Sequence, residues 1–376
     1  MSKRLLRIAM LGAGKMAKAH SQAYLTAARF FDLPVEPLLN VIVGHSRERT
    51  EQVARAFGWH EVAYDWRTVV TRADVDLVDV CTPNTLHAEP ACAAAEAGKA
   101  VICEKPLAAD VPAAEAMVQA VERCGVANMV IFNYRYAPAV REARRLIAEG
   151  VLGDIRHFRL HFLQDWLMDP GRLMSWRLSM ASGGGVLLDL GAHLIDMLHH
   201  LVGPISGVAA TQSHHVSNRP GQAGSVQAVD VEDVVHALMR ARSGATGTLT
   251  VSRVAGGYAC ENGFEIIGSR GSLRWELQRL NELVVYLADE TPALRGWRTL
   301  SVTQPGIHPW ADTWWGGGHP LGYAETFVHQ LAEFLRGLNG GLGVECSPPS
   351  FADGLQCQRV MAAIGRAARS GRWEEV

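Results

Sequence analysis

No hydrophobic run in the 376-residue chain reaches the ~18 apolar residues of a membrane-spanning helix, so the sequence offers no candidate span. Neither sign of charge dominates. With 36 Lys and Arg against 38 Asp and Glu, the net charge of −2 argues against a polyanion-binding protein. The densest basic group, Arg141, Arg144 and Arg145, reads as the solvated face of a helix. Seven cysteines, odd in number and without a C-x-x-C pair, argue against a disulfide framework. Cys81 and Cys103 end strand-like runs and Cys92 lies in an Ala-rich stretch, so these are read as small core residues. Arg7 interrupts the apolar stretch that follows the basic start, which reads as a strand opening a domain rather than a signal peptide. A soluble, reduced, cytoplasmic protein is the expectation.

What is present divides into two rhythms. The length exceeds what one core usually supports, and residues 1–134 and 135–376 are expected to form separate domains, with the C-terminal helix 351–369 able to pack back on the first. In the first part, Arg7–Leu11, Leu38–Val43, Leu77–Val80, Ala100–Cys103 and Met129–Phe132 read as buried strands. Helix-like segments separate them, which predicts a doubly wound parallel sheet. The second part predicts an antiparallel meander from Arg156–Phe162, Val231–Arg240, Gly247–Arg253, Phe264–Gly268, Ser272–Leu277 and Leu283–Leu287. A helix at Val186–Leu201 would cover one face, with more helix at Ala324–Leu338 and Phe351–Arg369, while 213–230 and 303–320 read as loops. The fold class is therefore α/β followed by an open-faced, mainly antiparallel α+β domain.

The first strand runs into Gly12-Ala13-Gly14-Lys15-Met16-Ala17, a G-x-G-x-x-A. Gly12 permits a tight turn, Gly14 leaves room for a pyrophosphate, and Ala17 lets the helix approach the strand with its N-terminal amides aimed at the phosphates. The pattern is weak alone, but here it follows a strand and opens a helix. The second strand ends Val43-Gly44-His45-Ser46-Arg47 without the carboxylate that would hold a ribose 2′-OH. Asp32 has about the right separation from Gly14 but precedes that strand. Ser46 and Arg47 could hold a 2′-phosphate, or Arg47 could belong to the solvated first turn of the next helix. NAD and NADP both stay open.

Cys103-Glu104-Lys105-Pro106-Leu107 follows the strand at Ala100, and Gly183-Gly184-Gly185-Val186-Leu187-Leu188-Asp189-Leu190-Gly191-Ala192-His193 comes later. Together with the early glycines, these resemble the Gfo/Idh/MocA family of sugar and inositol dehydrogenases. The resemblance extends to Cys81-Thr82-Pro83-Asn84, Gln164-Asp165-Trp166, Ser175-Trp176-Arg177 and Pro349–Leu355, and so covers nearly the whole chain. It implies a Rossmann domain followed by an open-faced sheet domain, with the active site between them. It also implies hydride transfer between nicotinamide and a carbon of a sugar, polyol or cyclitol. Lys105, Asp189 and His193 would be the catalytic set, and Thr82, Pro83, Asn84, His87, Glu104, Trp176 and Arg177 would lie along the cofactor. Gly44 departs from inositol-type members, which often carry an acid there.

Oxidising a secondary alcohol needs a base for the hydroxyl proton and a donor for the forming oxyanion, while the cofactor carries the hydride. Asp189 and His193 are four apart, which on an α-helix puts both on one face. Imidazole titrates near neutrality, and the Lys105 ammonium can stabilise developing negative charge. The bland alternatives are a surface Lys105, a core His193 and an Asp189 that caps its helix. His199 and His200 suit the C-terminal end of a helix dipole. Asp189, His193, Asp196 and His200 recur at helical spacing, but without an H-E-x-x-H or cysteine pattern no metal is expected.

Two rivals share the scaffold: a glycosidase that oxidises its sugar transiently with retained NAD, and a non-catalytic nucleotide or sugar sensor. Trp297, Trp310, Trp314 and Trp315 could stack on a sugar or plug a subunit interface. A small-molecule substrate, no nucleic-acid or membrane partner, and a homodimer or homotetramer complete the expectations.

Overall fold

The computed structural model describes residues 3–221, 224–338 and 347–376. It divides into two compact units, Met1–Tyr136 with Gly322–Gln358, and Ala137–Leu321 with Arg359–Val376. A single boundary near residue 134 therefore does not describe the chain, because the segment from Gly322 returns to the first unit.

The first unit holds β1 (Arg4–Leu11), α1 (Lys15–Phe30), β2 (Val35–Val43), α2 (Arg47–Phe57), β3 (Glu61–Ala63), α3 (Arg67–Val70), β4 (Leu77–Val80), α4 (Ala88–Glu96), β5 (Ala100–Cys103), α5 (Val111–Cys124) and β6 (Asn128–Val130). The six strands lie in the order β3-β2-β1-β4-β5-β6, and every pairing is parallel. Ile8, Met10, Leu77, Val78, Val101 and Ile102 are fully buried, each worth ~1.5–3 kcal/mol of apolar transfer. Asp79 lies equally buried among them. Strand β3 escapes sequence reading because one exposed and two half-buried residues make no apolar run.

The second unit holds α6 (Pro138–Ala148), β7 (Ile155–Leu163), α7 (Ala192–Leu201), β8 (Ile205–Ser213), β9 (Asn218–Pro220), β10 (Val226–Ala228), β11 (Val234–Ala241), β12 (Thr246–Ser252), β13 (Glu261–Gly268), β14 (Gly271–Glu276), β15 (Glu282–Leu287), β16 (Arg298–Ser301) and α8 (Pro309–Trp314). Later in the chain come α9 (Tyr323–Gly337) in the first unit, α10 (Phe351–Ser370), whose residues from Arg359 belong to the second, and β17 (Glu374–Glu375). The large sheet runs β16-β15-β14-β13-β7-β12-β11-β8-β17. It is mainly antiparallel but not a simple meander, since β7 inserts between β12 and β13 and pairs parallel with β12. The expected loops 213–230 and 303–320 contain the β9–β10 hairpin and α8.

Along β11 buried and exposed residues alternate. Val235, Ala237, Met239 and Ala241 face the core, and His236, Leu238 and Arg240 face outward. At this strand, among the described residues, one face of the sheet is left exposed. Charged side chains lie on the sheet as well: Arg159 on β7 pairs with Glu265 on β13 at 3.3 Å.

In the first unit, α9 packs its apolar face against α1, and Phe327 lies 5.8 Å from the His20 ring. A Cβ on Gly354 of α10 would lie 2.9 Å from Leu107 and from Val130. That close approach seats the start of α10 on the parallel sheet.

Candidate active site

The turn between β1 and α1 is Gly12–Gly14. Gly12 has φ +121°, and a Cβ there would lie 2.5 Å from the carbonyl oxygen of Cys81, so only glycine fits. Gly14 is the N-cap of α1, and no side chain caps that helix. A Cβ on Gly14 would meet no heavy atom within 4 Å. Lys15 and Met16 follow at the surface, and Ala17 is buried against the sheet. The first turn of α1 is thus left without a side-chain cap, and these residues fit a dinucleotide pyrophosphate.

At the end of β2, a Cβ on Gly44 would collide with the Thr50 hydroxyl, which donates to the Ser46 carbonyl at 2.6 Å. An acid cannot stand at Gly44 without displacing Thr50, a physical reason for the departure from inositol-type members. The Arg47 guanidinium lies 4.5 Å over the Tyr64 ring and 3.5 Å from the Glu51 carboxylate. Ser46 precedes α2 as its N-cap residue, without a side-chain cap hydrogen bond.

Beyond β4, Thr82 donates its hydroxyl to Leu86 at 3.0 Å, and Pro83 leads into a single helical turn at Asn84–Leu86. His87 is buried, with Nδ1 3.0 Å from the Pro106 carbonyl oxygen and Nε2 2.9 Å from that of Thr82. Its ring joins the loop after β4 to the loop after β5, and burial pushes the imidazole below its ordinary pKa. Glu104 is also buried: Oε2 accepts the Lys105 backbone N–H at 3.0 Å, and Oε1 lies 3.1 Å from His20 Nε2. Lys105 is half-buried, and the Lys105–Pro106 peptide is cis. His87 and Glu104, expected along the cofactor, thus use their polar atoms on neighbouring protein groups.

In the second unit, Gly183–Gly185 lead into a π-helical turn at Leu187–Gly191, which continues as α7. The expected unbroken α-helix 186–201 is thereby corrected, and the four-residue spacing of Asp189 and His193 is not simple α-geometry. Gly184 has no room for a side chain, since a Cβ would lie 2.5 Å from the Arg177 carbonyl oxygen. Glu232 holds the turn by accepting the Leu187 N–H at 2.8 Å, and burial raises the pKa of its carboxyl.

Asp189 Oδ2 accepts a hydrogen bond from Arg253 Nη2 and lies 3.6 Å from Arg177 Nε. Arg253 is buried, donates through Nη1 to the Arg177 carbonyl at 3.3 Å, and lies 5.8 Å from the Trp166 ring centroid. The Arg177 guanidinium stacks over Trp176 at 4.5 Å. His193 is buried, its ring 6.1 Å from that of Phe162. Arg253 was not singled out from sequence. Its signal is a cation directly after an otherwise uncharged strand, Thr246–Ser252, where burial calls for hydrogen-bonding partners.

Asp189, His193, Asp196 and His200 do not gather three metal-capable atoms. Among the described residues, His20, Asp79 and Cys81 do. The tryptophans also separate: Trp310 is buried in α8, whereas Trp297 and Trp315 are exposed.

The residues 6–132 match the model for the oxidoreductase family with an NAD-binding Rossmann fold, and residues 140–274 match the GFO/IDH/MocA C-terminal domain. This chain belongs to the Gfo/Idh/MocA family. It is a nicotinamide-dependent oxidoreductase acting on a CH–OH group. It is 39% identical to levoglucosan dehydrogenase of Pseudarthrobacter phenanthrenivorans, over 99% of this chain and 98% of that protein. Inositol 2-dehydrogenase of Rhizobium meliloti is 26% identical, over 98% of each. The structure of levoglucosan dehydrogenase with NADH and levoglucosan superposes with TM-score 0.94 at 40% identity, covering 99% of this chain and 100% of that one. No helix among the described residues is long and apolar enough to cross a membrane.

Proposed function

We propose that this family member oxidises a secondary hydroxyl of an anhydrohexose, levoglucosan among them, with NAD as hydride acceptor. Full-length likeness to levoglucosan dehydrogenase supports the substrate class. Glu51 beside Arg47 supports NAD, because a carboxylate there would repel a ribose 2′-phosphate. The residues Gly12–Ala17 hold the pyrophosphate, Ser46 and Arg47 lie toward the adenosine ribose, and Thr82, Pro83, Asn84, Trp176 and Arg177 line the cofactor. His87 and Glu104 act as positioning residues.

The observation that carries the assignment of roles is the pairing of Asp189 with Arg253 and Arg177. Its charge is engaged by two guanidinium groups, so Asp189 orients its surroundings and the His193 imidazole takes the hydroxyl proton. Lys105 presents an ammonium to the same hydroxyl and stabilises the oxyanion as it forms. The bound nicotinamide supplies the hydride acceptor. The chain works in a reducing, cytoplasmic setting, and the uncovered face of the large sheet pairs copies into a homodimer or homotetramer.

Purified protein assayed with levoglucosan, free hexoses and inositols against NAD and NADP tests this reading. Reduced cofactor should appear with levoglucosan and NAD, and Lys105→Ala should lower turnover by ~10²-fold while NADH still binds. Wild-type protein that reduces neither cofactor with any of these substrates would refute it.

A further inference from the structure

Asp79 is the one charged residue in the strand Leu77-Val78-Asp79-Val80, and it is fully buried. His20 on α1 places Nδ1 3.1 and 3.0 Å from the two Asp79 oxygens and Nε2 3.1 Å from Glu104 Oε1. Tyr24, one turn further along α1, donates its hydroxyl to Asp79 Oδ2 at 2.9 Å. The Cys81 thiol lies 3.2 Å from His20 Nδ1 and donates to Asp79 Oδ1 at 3.5 Å. Burial and the Asp79 charge push both the Tyr24 and Cys81 pKa values up, so both stay protonated donors. From α9 the group facing His20 is the uncharged Phe327 ring.

An ionised carboxylate only accepts. His20 has one carboxylate at each ring nitrogen, an arrangement that favours the doubly protonated ring. Burial works against that charge, but the attraction of Asp79 and its hydrogen bond outweigh it, and the pKa stands well above its ordinary value. The chain of contacts continues outward, because the second Glu104 oxygen accepts the Lys105 backbone N–H at 3.0 Å.

We propose that His20, anchored on Asp79, is a positioning residue that clamps Glu104 and through it sets the place of Lys105. Three ionisable side chains buried together are costly unless each is paired and hydrogen-bonded. The arrangement satisfies that demand and fixes the residue just after β5 from two directions. The proposal rests on Lys105 being catalytic, and the test separates the two claims.

Single-turnover rates, substrate KM and the NADH Kd by fluorescence are measured for His20→Gln, Asp79→Asn and Lys105→Ala, alone and with each of the first two combined with the third. His20→Gln should lower the hydride-transfer rate by ~10-fold or more, with KM and NADH Kd within about twofold of wild type. In the Lys105→Ala background the same change should have almost no further effect, as expected of a residue that acts through Lys105. Equal losses in both backgrounds would overturn the proposal, as would a stoichiometric transition metal in the purified protein, which would take the place of the His20 proton. If Lys105→Ala alone turns over like wild type, it is the Lys105 assignment that fails. Should His20→Gln not fold, the Asp79→Asn cycle decides by the same criterion.

Discussion

At the scale of single residues, the proposed division of roles between Asp189, held by two arginines, and His193 makes a pH prediction. A neutral imidazole can accept a proton and an imidazolium cannot, so oxidation by the wild type should fall as pH drops. His193→Asn keeps a hydrogen-bonding shape without a titrating ring. Its rate should fall strongly, the acid limb should disappear, and nicotinamide should still bind. An unchanged acid limb in kcat/KM would show that another group is the base. Arg253 is buried and Asp189 is 21% exposed, so Arg253→Leu should cost toward the low end of the ~3–5 kcal/mol seen on breaking a buried pair. Arg253→Lys should restore more stability than turnover, because an ammonium replaces the charge but not the guanidinium fork. Urea unfolding and steady-state kinetics on both variants check this. Lys105, Asp189 and His193 could be nominated from sequence because each stands in a short local motif. Arg253 and His20 were not, because their partners lie 64, 59 and 84 residues away.

At the scale of elements, α8 shows how one local choice carries a pH dependence. His308 caps this helix, with Nδ1 accepting the backbone N–H groups of Trp310 at 3.1 Å and Ala311 at 3.4 Å. A protonated ring could not accept them. Burial, followed by the Arg141 charge, pushes the His308 pKa down to about 4. The folded state therefore binds its proton later than the unfolded chain, where histidine titrates near ~6.5. The stabilisation is full above that value and is lost as pH falls toward 4, on the order of 3 kcal/mol by linkage. Melting temperatures at pH 7.5 and 5 should show this loss in the wild type and less of it in His308→Asn, which keeps an acceptor at the cap. Equal losses in both proteins would remove His308 as the cause. The strands of the first sheet other than β3 were readable as buried apolar runs. The insertion of β7 beside β12 was not, since pairing order depends on contacts between distant segments.

At the scale of the whole molecule, the uncovered face of the large sheet motivates a specific mass. Light scattering at micromolar concentration should give a dimer or tetramer of the 40.9 kDa chain. The polar character of that face, with Arg159 paired to Glu265, predicts an assembly weakened by salt. A monomer at low ionic strength would count against it.

Alternating β and α segments, the Gly12–Ala17 turn and the motifs at Lys105 and Asp189 are local signals. Sequence alone therefore determined the Rossmann unit, the cofactor class and the family. Tertiary structure decided what depends on distant segments meeting: the return of α9 to the first unit, the Arg253–Asp189 pair and the buried His20–Asp79–Glu104 cluster. The physical reason is that a buried charge takes its meaning from its partner, and folding, not spacing, brings the partner to it.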